Sequence, residues 1–323
     1  AYEIYQCDWS SDVCSSDLRG VLTGRWRLMA ASSLMLFVQL ALIRWSGANL
    51  VHLSYFSNLI LLASFLGLLR VAAVDSAPRP DVVFILSDDH GWADVGWHGS
   101  EIKTPHLDRL AAAGARLESF YVQPVCSPTR AAFMTGRYPM RHGLQQGVVR
   151  PWAQYGLPLE ERTLAAALRE AGYTTAICGK WHLGHFQPAY LPTRRGFDHQ
   201  YGHYNGAIDY FTHERDGGFD WHRDDQVCRD EGYSTTLVGR EAARLIAAQP
   251  KDKPLFLYVP FNAVHAPHQV PEAYKAPYAH LPEPRRTYAG MVAAEDEAFV
   301  LGVEGGAPAG RVEHEGVTLE EAG

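Results

Sequence analysis

Two hydrophobic rhythms alternate along residues 79–298. Short unbroken apolar runs, Val82-Val83-Phe84-Ile85-Leu86 and Leu255-Phe256-Leu257-Tyr258-Val259, have the pattern of parallel strands covered on both faces. Residues 173–178 read as a further strand, following the helix at 163–171. Between them lie segments with helical spacing and recognisable ends. Residues 104–113 read as a helix with Thr104 as N-cap, Pro105 in the first turn and Gly114 as the stop. Residues 163–171 read as a second helix closed by Gly172, and residues 235–248 as a longer one ended by Pro250. Strand and helix in alternation predict a layered α/β domain, with the first strand central in its sheet. That strand ends in Ser87-Asp88-Asp89, and the run at 255–259 leads into residues 260–268. Strand carboxyl ends are where open α/β sheets place their sites. No internal repeat or low-complexity linker interrupts residues 79–298.

The two ends of the chain break this pattern. Residues 7–18 (CDWSSDVCSSDL) back-translate without a break onto a common sequencing-adaptor oligonucleotide, so residues 1–18 are expected to be an artefact without function. Residues 19–78 form a hydrophobic signal or anchor region. One apolar stretch spans 28–43 between Arg27 and Arg44, and a second spans 50–69 and ends at Arg70. A spanning helix needs about 20 apolar residues and a signal core about 7–15. The second stretch, followed by small residues at 73–77, fits a signal peptide and export; a membrane anchor through residues 28–69 is the other reading. Residues 299–323 are rich in Gly and Glu and show no clear period, which predicts an unstructured tail.

Composition changes this picture little. A net charge of −7 over 323 residues argues against a nucleic-acid partner, yet a few local cations can bind an anion on an acidic protein. Five cysteines, two of them in the suspect first 18 residues, do not make a disulfide framework. Cys178 and Cys228 could pair but need not.

The chemistry-bearing residues fall in blocks. Asp88 and Asp89 are adjacent carboxylates, which repel unless a cation offsets them, and oxygen-rich sites suit Ca²⁺ or Mg²⁺. Cys126-Ser127-Pro128-Thr129-Arg130 is followed by Thr135-Gly136-Arg137-Tyr138-Pro139, and later by Gly179-Lys180-Trp181-His182-Leu183-Gly184. Arg130 stands at i+4 from Cys126, on one helix face with it. Lys180 and His182 alternate, so in an extended segment they point the same way. The C-x-P-x-R run between the other two blocks resembles the signature of the formylglycine-dependent sulfatases. The stretches GKWHLGH, DEGYST and Val264-His265-Ala266-Pro267 are most similar to the arylsulfatase B (N-acetylgalactosamine-4-sulfatase) group.

This resemblance covers residues 79–298 and implies an α/β, alkaline-phosphatase-like sandwich with a central, largely parallel sheet, truncated at its C-terminus. It implies that Cys126 is converted to formylglycine by a formylglycine-generating enzyme that reads Pro128 and Arg130. It also implies a divalent cation, calcium before magnesium, on Asp88, Asp89 and residue 126. Arg130 would then hold the metal-site carboxylate and the formylglycine diol, Lys180 the sulfate, and His182 the aldehyde hydrate. His265 would bind sulfate and protonate the leaving alcohol, with His268 a nearby competitor. The substrate would be a sulfated glycan or small aryl sulfate outside the cytoplasm. The cluster at residues 199–210 would either line the substrate mouth or serve as loop packing.

Family members continue into an Asp-Asn-Gly segment and a later lysine that do not occur here, so this chain is expected to be an inactive fragment. The alternatives are a phosphomonoesterase or phosphonate hydrolase on the same scaffold, disfavoured because those put Ser or Thr at position 126, and a non-catalytic binder of sulfated glycans.

Overall fold

The computed structural model describes residues 79–303. The chain divides into units at 1–77 and 78–323, and the expectations for residues 1–78 and 304–323 lie outside the described residues. The elements in chain order are β1 (Val82–Leu86), α1 (Pro105–Ala113), α2 (Cys126–Thr135), α3 (Leu164–Glu170), β2 (Thr174–Lys180) and β3 (His199–His203). Four short strands follow: β4 (Glu214–Arg215), β5 (Gly218–Phe219), β6 (His222–Arg223) and β7 (Gln226–Val227). The chain then enters α4 (Ser234–Ala248), β8 (Leu255–Pro260), the short α5 (Glu272–Lys275) and α6 (Arg285–Val303).

The six-stranded sheet has the order β1-β8-β2-β3-β6-β7. Its first four strands are parallel; β6 and β7 add antiparallel pairs at the far edge. Strand alternation divides the core between the two faces. Leu255, Leu257 and Val259 of β8 join Ala176 and Cys178 of β2 against Val238 and Ala242 of α4 and Met291 and Ala294 of α6. Phe256 and Tyr258 join Ile177 against Ala131 and Met134 of α2 and Ala165 of α3. This is a helix–sheet–helix sandwich.

Three expectations change in detail. The strand at β1 has a central strand's sequence but stands at the edge of the described sheet, with Val83 36% exposed. Continuous apolarity reports coverage of faces, not pairing of both edges. Thr104 precedes α1, but its side chain accepts from Gly96 N and donates to Asp108 rather than capping the helix. The first turn of α1 is instead held by Asp296, whose carboxylate accepts from His106 N and Leu107 N at 3.2 and 2.8 Å. Finally, α6 continues to Val303, past the change of composition at residue 299. Thr163 does cap α3, accepting from Ala166 N at 3.0 Å. Cys178 and Cys228 are free thiols.

Candidate active site

The proposed chemical groups meet at the carboxyl ends of β1, β8 and β2. Asp88 lies two residues beyond β1, Lys180 is the last residue of β2, and His265 follows β8 by five. Backbone bonds clamp the first and third of these segments together: Asp88 N donates to Ala263 O and Val264 N to Asp88 O, each at 2.7 Å. Cys126 is the first residue of α2, so its side chain sits at the positive end of a ten-residue helix, a natural anion site. Pro128 fits in that first turn, where its missing N–H leaves no helical bond unmade.

Asp88 is the hub. Its carboxylate pairs with the Lys180 ammonium, lies 3.5 Å from Arg130 Nη2 and accepts from Cys126 Sγ at 3.4 Å. Burial works against its charge, but Lys180 and Arg130 override this and hold the carboxyl below the usual range. Arg130 is 1% exposed and also donates to Lys180 O at 2.8 Å, tying α2 to the end of β2. Lys180 is fully buried; burial pulls it below the ordinary lysine range, with Asp88 opposing. The Cys126 thiol is pushed up, first by burial and then by Asp88, against Lys180 and Arg130. An unmodified Cys126 is therefore a protonated, weak nucleophile at neutral pH.

His182 departs from the extended geometry expected of it. The strand stops at Lys180, and His182 takes φ 59°. Its Nε2 lies 2.9 Å from Val149 O. A carbonyl only accepts, so Nε2 carries the proton and Nδ1 keeps a lone pair, buried and without a partner among the described residues. Burial, then Lys180 and Arg130, press the imidazole well below its ordinary pKa and keep it neutral. Its ring packs on Gly206, where a Cβ would stand 2.3 Å from the ring.

A ligand atom of His265 lies within 4.8 Å of those of Asp88 and Cys126, and these three form the one cluster of metal-ligating type among the described residues. Its Nε2 is 3.6 Å from Asp89 Oδ2. Asp89 itself is largely exposed, so the adjacent acids divide into one buried and one solvent-facing carboxylate. His268 lies outside this cluster, exposed and edge-on to Tyr288 at 5.8 Å. At residues 199–210 the rings of Tyr201, His203, Tyr204 and Tyr210 are all buried, the first two in β3. Tyr210 nonetheless matters, because its hydroxyl donates to Asn262 O and His265 O at 2.8 and 2.7 Å and fixes the histidine turn.

Sequence reasoning missed several supports. Ser127 Oγ donates to His182 O and accepts from Val149 N, at 2.9 and 3.0 Å. Its place inside the C-S-P-T-R run was the available signal. His90 bonds Glu295 of α6 at 3.2 Å, and Gly91 N donates to the Tyr288 hydroxyl. These partners are about 200 positions apart and leave no local trace.

Comparison with known proteins agrees with this geometry. The family model described as Sulfatase matches residues 80–300. Arylsulfatase J of Mus musculus is 43% identical over 237 residues, covering 71% of this chain and 40% of that protein. N-acetylgalactosamine-6-sulfatase of Mus musculus is 37% identical over 232 residues, covering 65% of this chain and 44% of the relative. The chain thus spans less than half the length of the curated relatives it matches. Among solved structures, that of Ps i-CgsB in complex with k-i-k-neocarrahexaose superposes with a TM-score of 0.66 at 34% identity, covering 70% of this chain and 55% of the other. These relatives do not single out the 4-sulfatase group. With the match extending over most of the chain, and with a helix–sheet–helix sandwich of the alkaline-phosphatase-like type, the chain belongs to the sulfatase family.

Proposed function

We propose that this site hydrolyses sulfate monoesters through formylglycine made from Cys126 by a formylglycine-generating enzyme. One observation carries the reading: Cys126 sits at a helix N-terminus within reach of Asp88 and His265, with Lys180 and Arg130 both on Asp88. The Cys126 Sγ stands in for the oxygen of formylglycine. In its hydrated form that group supplies one hydroxyl to attack sulfur and a second whose collapse releases sulfate.

The donor set suits a divalent cation, with calcium the proposed ion. Asp88, Asp89 and an oxygen at position 126 would hold it, and when bound it supplies Lewis acidity toward the sulfate oxygens. Those three residues fall short of the roughly six to eight oxygens calcium takes. We therefore propose that these residues alone bind a sulfate ester but turn it over poorly. Lys180 and Arg130 set positive charge against the anion and keep Asp88 ionised. His182, neutral with a free Nδ1 lone pair, takes a proton from the residue at 126. His265 gives a proton to the departing alcohol. Export, with residues 28–69 as signal or anchor, belongs to the same proposal. So does a sulfated glycan substrate, in keeping with the oligosaccharide bound by Ps i-CgsB.

The test compares an aryl sulfate with the matching aryl phosphate, using protein made together with the generating enzyme. Sulfate-ester binding that exceeds phosphate-ester binding and disappears in Lys180→Ala is expected. Preference for the phosphate ester, in binding or turnover, would move the reading to a phosphomonoesterase.

A further inference from the structure

The loop at residues 148–157 anchors itself in the core yet leaves two aromatic side chains outside it. Its Val149, Ala153 and Leu157 are buried, at 1%, 7% and 0% exposure, while Trp152 and Tyr155 between them are 75% and 50% exposed. Aromatic side chains bring the largest apolar area to a core, so a free loop would be expected to turn them inward. This loop is not free. Val149 is tied to His182 and Ser127, Pro151 O lies 3.1 Å from His185 Nε2, and Leu157 N donates to Leu183 O at 2.8 Å. At Gly156 the backbone of residues 183–184 comes so close that a Cβ would stand 2.4 Å from Leu183 O, which forbids any larger residue. The two rings are thus held out on a rigid mount rather than left over from poor packing.

The mount adjoins the candidate active site. Val149 O accepts from His182, and three residues of chain place the Trp152 Cα no more than about 11 Å from the Val149 Cα. Between them stands Arg150, exposed and in no ion pair among the described residues. Exposed aromatic faces within a few residues of an exposed cation are the groups that can hold a pyranose ring carrying an acidic group. The ring's C–H face lies on the aromatic, and the sulfate or carboxylate meets the guanidinium. A small aryl sulfate would leave this surface unused.

Resting on the sulfatase reading above, we infer that Arg150, Trp152 and Tyr155 form a subsite for a second acidic sugar residue, and that the site accepts polyanionic oligosaccharides rather than isolated monosaccharide sulfates.

The test is calorimetric titration of the full chain with three probes: inorganic sulfate, a sulfated monosaccharide, and sulfated hexasaccharides of the carrageenan and chondroitin types. At least one hexasaccharide should bind tenfold or more tightly than the monosaccharide. Trp152→Ala should abolish that advantage while leaving inorganic sulfate binding and the melting temperature unchanged, because a hot-spot aromatic acts through its own contact. Trp152→Phe should keep most of the advantage, and Arg150→Ala should reduce the salt dependence of hexasaccharide binding. Hexasaccharide affinity unaltered in Trp152→Ala overturns the inference. Sulfate binding without any hexasaccharide advantage overturns it too, and leaves the sulfatase reading intact. Trp152-dependent hexasaccharide binding without inorganic sulfate binding sustains the subsite and sinks the sulfatase reading. Binding of none of the probes sinks both.

Discussion

Arg130 performs two tasks with one side chain, and both are visible in its contacts. It neutralises part of the buried Asp88 charge, and it holds the carbonyl of Lys180 at the end of β2. Removing it would leave a buried carboxylate short of a partner and a buried carbonyl unpaired. Breaking such a pair costs about 3–5 kcal/mol, far more than losing a surface ion pair. Arg130→Ala should therefore destabilise the domain by about that much in urea unfolding. A loss under about 1 kcal/mol would mean that Lys180 alone suffices to hold Asp88. At this scale the sequence was most informative where chemistry is local. The C-S-P-T-R run placed Cys126 and Arg130 one helical turn apart, as found. The Lys180/His182 spacing misled in one respect, because the left-handed backbone at His182 is set by its bonds to Tyr204 O and Val149 O, contributed by remote segments.

Secondary-structure elements were legible where apolar runs and caps agreed. The strands at β1, β2 and β8 and the helices α1, α3 and α4 follow the periodicity within a few residues. The N-terminal part of α2 lacked a conventional cap, and Val125 makes no side-chain capping bond. Thr129 does not cap the helix either; its hydroxyl donates to Gln123 O and Val125 O and so ties the preceding segment to the first turn. What could not be read was the role of α6. Through Glu295, Tyr288 and Asp296 it grips His90, Gly91 and the start of α1, and so braces the segment that carries Asp88 and Asp89. Tyr288 and Arg285 both bind Asp94 in the same brace. Helical periodicity marks such residues only as lying on some face. The partner across 200 positions is invisible without the fold.

For the molecule as a whole, His203 and His182 make stability fall in acid, whereas His90, raised by Glu295 against its burial, works the other way. His203 pairs in register with Lys180 across β2 and β3 and stacks on Trp221 at 6.2 Å. Burial, opposed by Asp220 and reinforced by Lys180 and Arg130, lowers it from 6.5 to about 3. The sign follows from proton counts. Between these two values the unfolded chain binds a proton at this residue and the folded chain does not. Stability from His203 is therefore full above pH 6.5 and is lost as pH falls toward 3. The slope is about 1.4 kcal/mol per pH unit for one such group. His182, depressed in the same direction, adds to it. His203→Gln should flatten the decline of unfolding free energy between pH 6.5 and 4, whatever it does to stability at neutral pH. An unchanged slope would show that His203 titrates normally in the folded protein.

The central claim is that residue 126 becomes an aldehyde in a sulfatase site, and mass spectrometry of the peptide around it tests this most directly. In the folded domain Ser127, Pro128 and Arg130 are buried, so the proposed conversion would have to precede the packing of α2. Protein produced together with a formylglycine-generating enzyme should yield that peptide with Cys126 converted, reactive toward a hydrazide and absent from Arg130→Ala. A peptide recovered wholly as the unmodified thiol under the same conditions would contradict the account and leave the family's fold without its chemistry.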